Sequence, residues 1–139
     1  MSSLERTDLD VVEAFYRELL SNPAGVTRET FDSVLAPHLV SLPVPPGGEG
    51  AEGVWNTLKA FGQMVPDLHW ETNEIIEHGN RYTVRGTATG TPVAEFLGVP
   101  PTGRGFEIMS IDIVTVEGGR IVHIFHLEDW TGAIAQLTA

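Results

Sequence analysis

The stretch FEIMSIDIVTVEGGRIVHIFHLEDW, residues 106–130, is typical of a long β-hairpin. Its two halves are rich in β-branched and aromatic residues, and Gly118-Gly119 between them suits a tight two-residue turn. Such a turn places Glu117 opposite Arg120. The fold therefore contains at least one antiparallel pair of strands.

This register divides the side chains of the hairpin between two faces, because side chains alternate along a strand. The first face carries Ile108, Ser110, Asp112, Val114, Val116, Ile121, His123, Phe125, Leu127 and Asp129. The opposite face carries Met109, Ile111, Ile113, Val122, Ile124 and His126, and we expect Glu128 to point the same way. Both faces are largely apolar, so both should be covered. Helices can cover one face, and a cavity or a second subunit the other, which predicts a homodimer or larger homo-oligomer.

The sequence before the hairpin predicts helices followed by strands. Apolar residues recur at helical spacing in 7–21 and 51–65, and 27–36 has the start and stop signals of a short helix. From residue 67 the apolar pattern changes to strict alternation, with strands predicted over 68–78 and 81–90. We therefore expect residues 1–139 to form one α+β domain, in which helices pack on a meander of long strands.

Composition excludes several classes of function. The 139 residues carry a net charge of −11, which argues against nucleic acid or an anionic membrane as partner. The chain has no cysteine, so disulfides and thiolate sites are excluded, and no His/Glu spacing resembles a metal site. Nothing near the N-terminus resembles an export signal, so a cytoplasmic location is expected.

Three segments carry a resemblance to a known family. PDLHWETNEIIEHGNRYTVRGTATGT, EFLGVPPTGRGFEI and IDIVTVEGGRIVHIFHLEDWTGAIAQL resemble the SnoaL-like polyketide cyclases, many relatives of which are labelled ester cyclases. They belong to the nuclear transport factor 2-like superfamily. The resemblance implies a cone-shaped fold, in which a strongly bent antiparallel or mixed sheet wraps around a pocket behind N-terminal helices.

The resemblance also implies a chemistry and a catalytic residue. Family members that close rings use an Asp just after the last strand as general acid and base, and its counterpart here is Asp129. The reaction is an intramolecular aldol condensation of a small apolar polycarbonyl molecule, which needs no cofactor and no metal. A carboxylate acts as such a base when an apolar pocket raises its pKa.

Further residues are expected to line the substrate pocket. The hydroxyl of Tyr16, on the first helix, can donate a hydrogen bond to a substrate carbonyl. The full set predicted to bind substrate is Tyr16, Trp55, Ser110, His123, Phe125 and Leu127. The chain also departs from the usual pattern of the family at three positions, with Pro92 after Thr91, Leu42 in place of a histidine, and Phe125 in place of a tryptophan.

The acidic residues of the hairpin have structural alternatives. Asp129 could simply cap the short turn that follows it, since Asp is a favoured N-cap residue. Asp112 is expected opposite Phe125, about 13 Å from Asp129, which is too far for joint catalysis unless a bulge shifts the register. A hydrogen bond between Asp112 and its diagonal neighbour His123 is therefore the expected arrangement.

Three other functions remain open. A non-catalytic carrier or accessory subunit would also use an apolar cavity with one buried acid. An epoxide hydrolase of this fold would need an Arg two residues before an Asp on an inner strand, where this chain has Ser110 before Asp112. An isomerase of keto-acids or steroids would use the same proton chemistry as a cyclase.

Overall fold

The computed structural model describes residues 6–139, which form an α+β fold as predicted. No helix in this range is long and apolar enough to cross a membrane. The elements are α1 (Asp8–Ala14), α2 (Arg28–Val34), β1 (Leu35–Leu42), α3 (Gly50–Met64), β2 (His69–His78), β3 (Arg81–Gly90), β4 (Phe106–Glu117), β5 (Arg120–Glu128) and α4 (Trp130–Leu137).

The first helix changes its winding midway. Thr7 caps α1 by accepting a hydrogen bond from the Asp10 amide at 3.1 Å, while the Thr7 amide donates to the Asp10 carboxylate at 3.0 Å. After α1 the chain continues as a π-helical segment, Phe15–Leu20. The sequence predicted one continuous helix here, and the wider turn presents both Phe15 and Tyr16 to the protein interior.

The strands form one mixed sheet in the order β1-β5-β4-β3-β2. The meander from β2 to β5 is antiparallel, as predicted, whereas β1 lies parallel to β5 at the edge of the sheet. This parallel pairing sets Ser41 beside Ile124 and Leu42 beside Phe125.

A β-bulge in β5 changes the register of the hairpin. Glu117 lies opposite Arg120 as predicted, but Thr115 lies opposite His123, so Val122 is an extra residue on β5. Beyond the bulge every residue of β5 points to the face opposite to the predicted one, because side chains alternate. Asp112 is therefore opposite His126, and the prediction that it faces Phe125 is wrong.

The inner face of the sheet, against which the helices pack, carries several polar side chains, and the bulge brings those of β5 there. Ser110 and Asp112 of β4 are buried there, and His126 and Glu128 of β5 lie on the same face. On β4 and β5 the outer face is largely apolar and exposed, and Leu127, the most open of the large side chains there, keeps 69% of its surface accessible.

An aromatic cluster closes one end of the inner face. Trp130 at the start of α4 packs edge-on against Phe61 of α3, with ring centroids 5.8 Å apart, and against Phe96 at 5.7 Å. Phe96 also stacks on Phe106 at 5.8 Å. These contacts join α3, the 91–105 loop, β4 and α4, and they fix the start of α4 beside the end of β5.

Candidate active site

A cavity of about 290 Å³ lies between α3 and the inner face of the sheet. Its lining is mostly apolar and includes aromatic rings, which is typical of small-molecule sites. The apolar lining comes from Phe15, Leu20, Pro43, Val44, Pro45, Pro46, Val54, Leu58, Phe61, Leu68, Trp70, Leu97, Ile124 and Trp130. The polar lining comes from Ser41, Thr57, Asp112, His126 and Glu128.

Asp112 is the buried acid of this cavity. Its side chain is held by Tyr16, whose hydroxyl donates to Oδ2 at 2.6 Å, and only 3% of the residue is accessible. Its other oxygen, Oδ1, is buried and has no hydrogen-bond partner within residues 6–139. A buried carboxyl oxygen without a partner is costly, so its presence beside a cavity indicates a functional role.

The surroundings of Asp112 set its charge. Burial raises the pKa of Asp112 to about 7, and the charge of Glu128 contributes in the same direction. The hydrogen bond from Tyr16, the charge of His126 and the backbone amide of Leu127 act against this and lower the pKa. The pKa of Tyr16 lies well above its ordinary value, chiefly because of burial and then because of the charge of Asp112. Tyr16 therefore remains a hydrogen-bond donor, while Asp112 changes its charge near neutral pH.

The hydrogen bond from Tyr16 makes the two oxygens of Asp112 inequivalent. Because Oδ2 accepts the Tyr16 proton, the proton of a neutral Asp112 belongs on Oδ1. Oδ1 is therefore the atom that gains and loses a proton as Asp112 titrates.

A second polar group joins the end of β5 to the rim of the cavity. Nδ1 of His126 lies 3.0 Å from Oε2 of Glu128, and Nε2 lies 2.6 Å from the carbonyl oxygen of Pro43. Trp130 donates its indole proton to Glu128 at 3.1 Å. The hydrogen bond with Glu128 raises the pKa of His126, because both ring nitrogens face acceptors and the protonated ring can donate to both.

Ser110 is satisfied by a neighbour within the protein. Trp70 of β2 donates its indole proton to the Ser110 hydroxyl at 3.0 Å across β3. Gly86 of β3 lies between them, where a Cβ atom would come within 3.3 Å of the Trp70 ring. Glycine at this position therefore lets the indole lie close to the sheet and form part of the cavity wall.

The structure places Asp129 outside the cavity. Asp129 is exposed, and its side chain accepts a hydrogen bond from the Gly132 amide at 2.9 Å as the N-cap of α4. The predicted orientations of Asp129 and Glu128 are reversed, because the bulge turns Glu128 inward. The alternative prediction, that Asp129 caps the next segment, is confirmed, although that segment is an α-helix rather than a short turn.

The other predicted pocket residues divide into two groups. His123, Phe125 and Leu127 lie on the outer face for the same reason as Asp129, so their predicted positions in the pocket are wrong. A hydrogen bond between Asp112 and His123 is excluded as well. Trp55 is also outside the cavity, on the surface of α3, where its ring packs 5.2 Å from that of Phe31.

Tyr16 and Ser110 do lie on the inner side of the sheet, as predicted. Their hydroxyl groups, however, already have partners within the protein. That of Tyr16 donates to Asp112, and that of Ser110 accepts from Trp70. Both residues thus support the cavity from behind. In the part of the chain that the structure describes, no group of three or more His, Asp or Glu side chains is arranged to hold a metal ion.

His126 and Glu128 are the site residues that sequence analysis missed. The sequence contains no signal for them, because large apolar residues occupy both alternating sets of positions in β5. In the structure Ile121 and Ile124 are both buried although they are three residues apart, which strict alternation forbids. Placing both inside requires a bulge between them, and that bulge brings His126 and Glu128 to the inner face.

Comparison with known proteins agrees with this architecture. The sequence matches the family model of SnoaL-like polyketide cyclases over residues 10–137. IdmH of Streptomyces antibioticus, provisionally assigned as a polyketide cyclase, is 28% identical with a TM-score of 0.82, over 96% of this chain and 100% of IdmH. TsrD of Streptomyces laurentii is 27% identical with a TM-score of 0.75, over 97% and 94% of the two chains.

A third structure extends the likeness in fold alone. A SnoaL-like protein of Jannaschia sp. CCS1 is 18% identical with a TM-score of 0.80, and the match covers 97% of each chain. No match is found among curated proteins.

Proposed function

The chain belongs to the SnoaL-like polyketide cyclase family, and from this premise we propose that it closes a ring on a small apolar polycarbonyl molecule, with Asp112 as general acid and base. The observation that carries the proposal is Asp112 itself, a buried carboxyl group that lines an apolar cavity, has no hydrogen-bond partner on Oδ1 within residues 6–139 and has a pKa of about 7. A general base works best when its pKa lies near the working pH.

The proposed reaction balances without any other reactant. Oδ1 of ionised Asp112 takes a proton from a carbon next to a carbonyl group, which leaves an enolate. The enolate carbon attacks a second carbonyl carbon of the same molecule and forms the ring bond. The resulting alkoxide takes the proton back from Oδ1, so Asp112 ends the cycle ionised and the product is an isomer of the substrate.

His126 supports this chemistry through its charge. It lies opposite Asp112 on the neighbouring strand, and a positive charge there favours the negative charge that develops on the substrate oxygen. Glu128 and the Pro43 carbonyl hold the ring in place from both sides. Because both nitrogens have partners, we propose that His126 acts through its field and not as a proton donor.

The proposal can be tested before the natural substrate is known. Enolate formation alone exchanges the α-protons of a β-dicarbonyl compound for deuterium in D₂O, which NMR follows directly. We expect the protein to accelerate exchange in neutral aryl β-diketones, with a rate that rises with pH through about 7 as Asp112 ionises. If no diketone that binds exchanges faster than in buffer, the acid/base proposal is wrong, and the non-catalytic carrier becomes the better hypothesis.

We also propose that the outer face of the sheet binds a second copy of the chain. Phe125 lies between Leu42 of β1 and Ile113 of β4, and Leu127 lies beside Ile111, so the apolar surface continues across three strands. Exposed apolar surfaces of this kind mark interaction sites, and the commonest homo-oligomers are two-fold dimers, which bring the same surface of both copies into contact.

The assembly is tested by changing the outer face alone. Leu127→Asp is expected to convert a dimeric or larger species to a monomer, as measured by sedimentation velocity. Ile76→Asp is the matched control, because Ile76 is also an exposed apolar residue of the sheet but lies on β2, at its far edge. A wild-type protein that sediments as a monomer at 100 times the concentration of the functional assays would contradict this proposal.

A further inference from the structure

Ser41 is a second polar residue of the cavity lining without a hydrogen-bond partner for its side chain in the described part of the chain. It is 5% accessible and lines the cavity, while its neighbours Val40 and Leu42 are exposed on the opposite face of β1. Its hydroxyl enters no hydrogen bond with any residue of 6–139, unlike that of Thr57, which donates to the Gly53 carbonyl at 2.8 Å. A hydroxyl that is almost fully buried and lacks a protein partner is available to a ligand.

The sheet register fixes the spacing between Ser41 and Asp112. Ser41 pairs with Ile124 of β5, and Asp112 pairs with His126, two residues farther along the same strand. Two strand spacings across and two residues along place the Cα atoms of Ser41 and Asp112 about 12 Å apart. Ile124 lies between them on the inner face, so the surface between the two open polar groups is apolar.

The charges of the cavity restrict the ligand further. Among residues 6–139, its lining contains two acidic residues, Asp112 and Glu128, and no Lys or Arg. The one basic ring, His126, already contacts Glu128 and the Pro43 carbonyl. A carboxylate or phosphate on the ligand would therefore meet negative charge without a free cationic partner.

We propose that Ser41 binds a second oxygen of the ligand, which is an uncharged molecule with oxygen functions at both ends of an apolar frame about two fused rings long. This proposal rests on the proposed function, and it names the class of molecule that the site accepts. Asp112 contacts the reacting end of the ligand, and a hydrogen bond with Ser41 fixes the position of the other end. The distance from Ser41 to Asp112 thereby selects which carbon is presented to Oδ1.

Two naphthols test the proposal by isothermal titration calorimetry at pH 6. 2,6-Dihydroxynaphthalene has oxygens at both ends, whereas 2-naphthol has only one. Ser41→Ala is expected to weaken binding of the dihydroxy compound about three- to tenfold, the effect of one lost hydrogen bond, and to leave 2-naphthol unchanged. Ser41→Thr keeps the hydroxyl and is expected to retain the preference for the dihydroxy compound. 6-Hydroxy-2-naphthoate, which is charged, is expected to bind more weakly than either naphthol.

The outcomes separate this proposal from the catalytic one. Equal losses for both naphthols in Ser41→Ala, or no loss for either, would overturn the role of Ser41 even if deuterium exchange succeeds. Binding of 6-hydroxy-2-naphthoate as tight as that of the dihydroxy compound, or no binding of any of the three to the wild type, would overturn the ligand class. Conversely, a two-oxygen preference that depends on Ser41, together with an absence of exchange, supports the site as a carrier and rejects only the catalysis.

Discussion

Asp112→Asn is expected to slow enzymatic deuterium exchange by about 10²- to 10⁴-fold, the usual contribution of a positioned general base. Asparagine has the same shape as the neutral acid and can still accept the hydrogen bond from the Tyr16 hydroxyl, which now reaches Oδ2 at 2.6 Å. The substitution removes only the group that takes up the proton. Affinity for an unreactive ligand such as 2-naphthol should change far less than the rate, which separates loss of chemistry from loss of binding.

Asp129→Asn is the matched control for this experiment. It makes the same chemical change at the acid that the family resemblance identified, and asparagine is an equally good N-cap for α4. Because Asp129 is exposed and outside the cavity, we expect Asp129→Asn to catalyse deuterium exchange at the same rate as the wild type. A large loss in Asp129→Asn with normal activity in Asp112→Asn would restore Asp129 as the acid/base and contradict the assignment to Asp112.

Asp112→Asn is also expected to stabilise the folded protein at alkaline pH. In the folded state the pKa of Asp112 is raised from 3.8 to about 7, so the folded protein holds a proton that the unfolded chain has lost. The stability due to the neutral acid is thus fully present below about pH 4, declines as pH rises, and is lost above about pH 7. Asparagine cannot ionise, so it avoids this loss. Asp112→Asn should exceed the wild type by about 2–4 kcal/mol in free energy of unfolding at pH 8.

Urea unfolding of both proteins at pH 5, 6, 7 and 8 measures this difference. The gap should widen up to about pH 7 and then remain constant, since Asp112 is ionised in both states beyond that point. Asp129→Asn again serves as the control, with no such trend expected. A gap that stays constant across this pH range would mean that Asp112 has an ordinary pKa, and the proposed general base would lose its physical basis.

The sequence was a good guide to the elements that depend on local pattern. Strand β3 begins and ends at the predicted residues, and α1 begins within one residue of the predicted start of the first helix. These features follow from alternation, capping and turn residues within a few positions of one another. The pairing of β1 with β5 could not be predicted in the same way, because it joins segments about 80 residues apart.

The candidate site was harder to predict because one extra residue decides it. Strict alternation after Gly118-Gly119 sends Phe125 and Leu127 inward, and the bulge at Val122 reverses this. Asp112 was assigned to the correct face because β4 contains no irregularity there. Its environment was not predictable, since Tyr16, its hydrogen-bond partner, is 96 residues away in the sequence.

The bulge at Val122 also affects how this protein should be aligned with its relatives. In a relative that lacks the extra residue, the counterparts of Phe125 and Leu127 would face the pocket, where this chain has His126 and Glu128. An ungapped alignment would then match columns that occupy opposite sides of the sheet, and an apparently shared acid could belong to the pocket in one protein and to a helix cap in the other. Transfer of residue roles within the family therefore requires a gap placed after the last turn, because the extra residue decides which residues of β5 beyond it face the pocket.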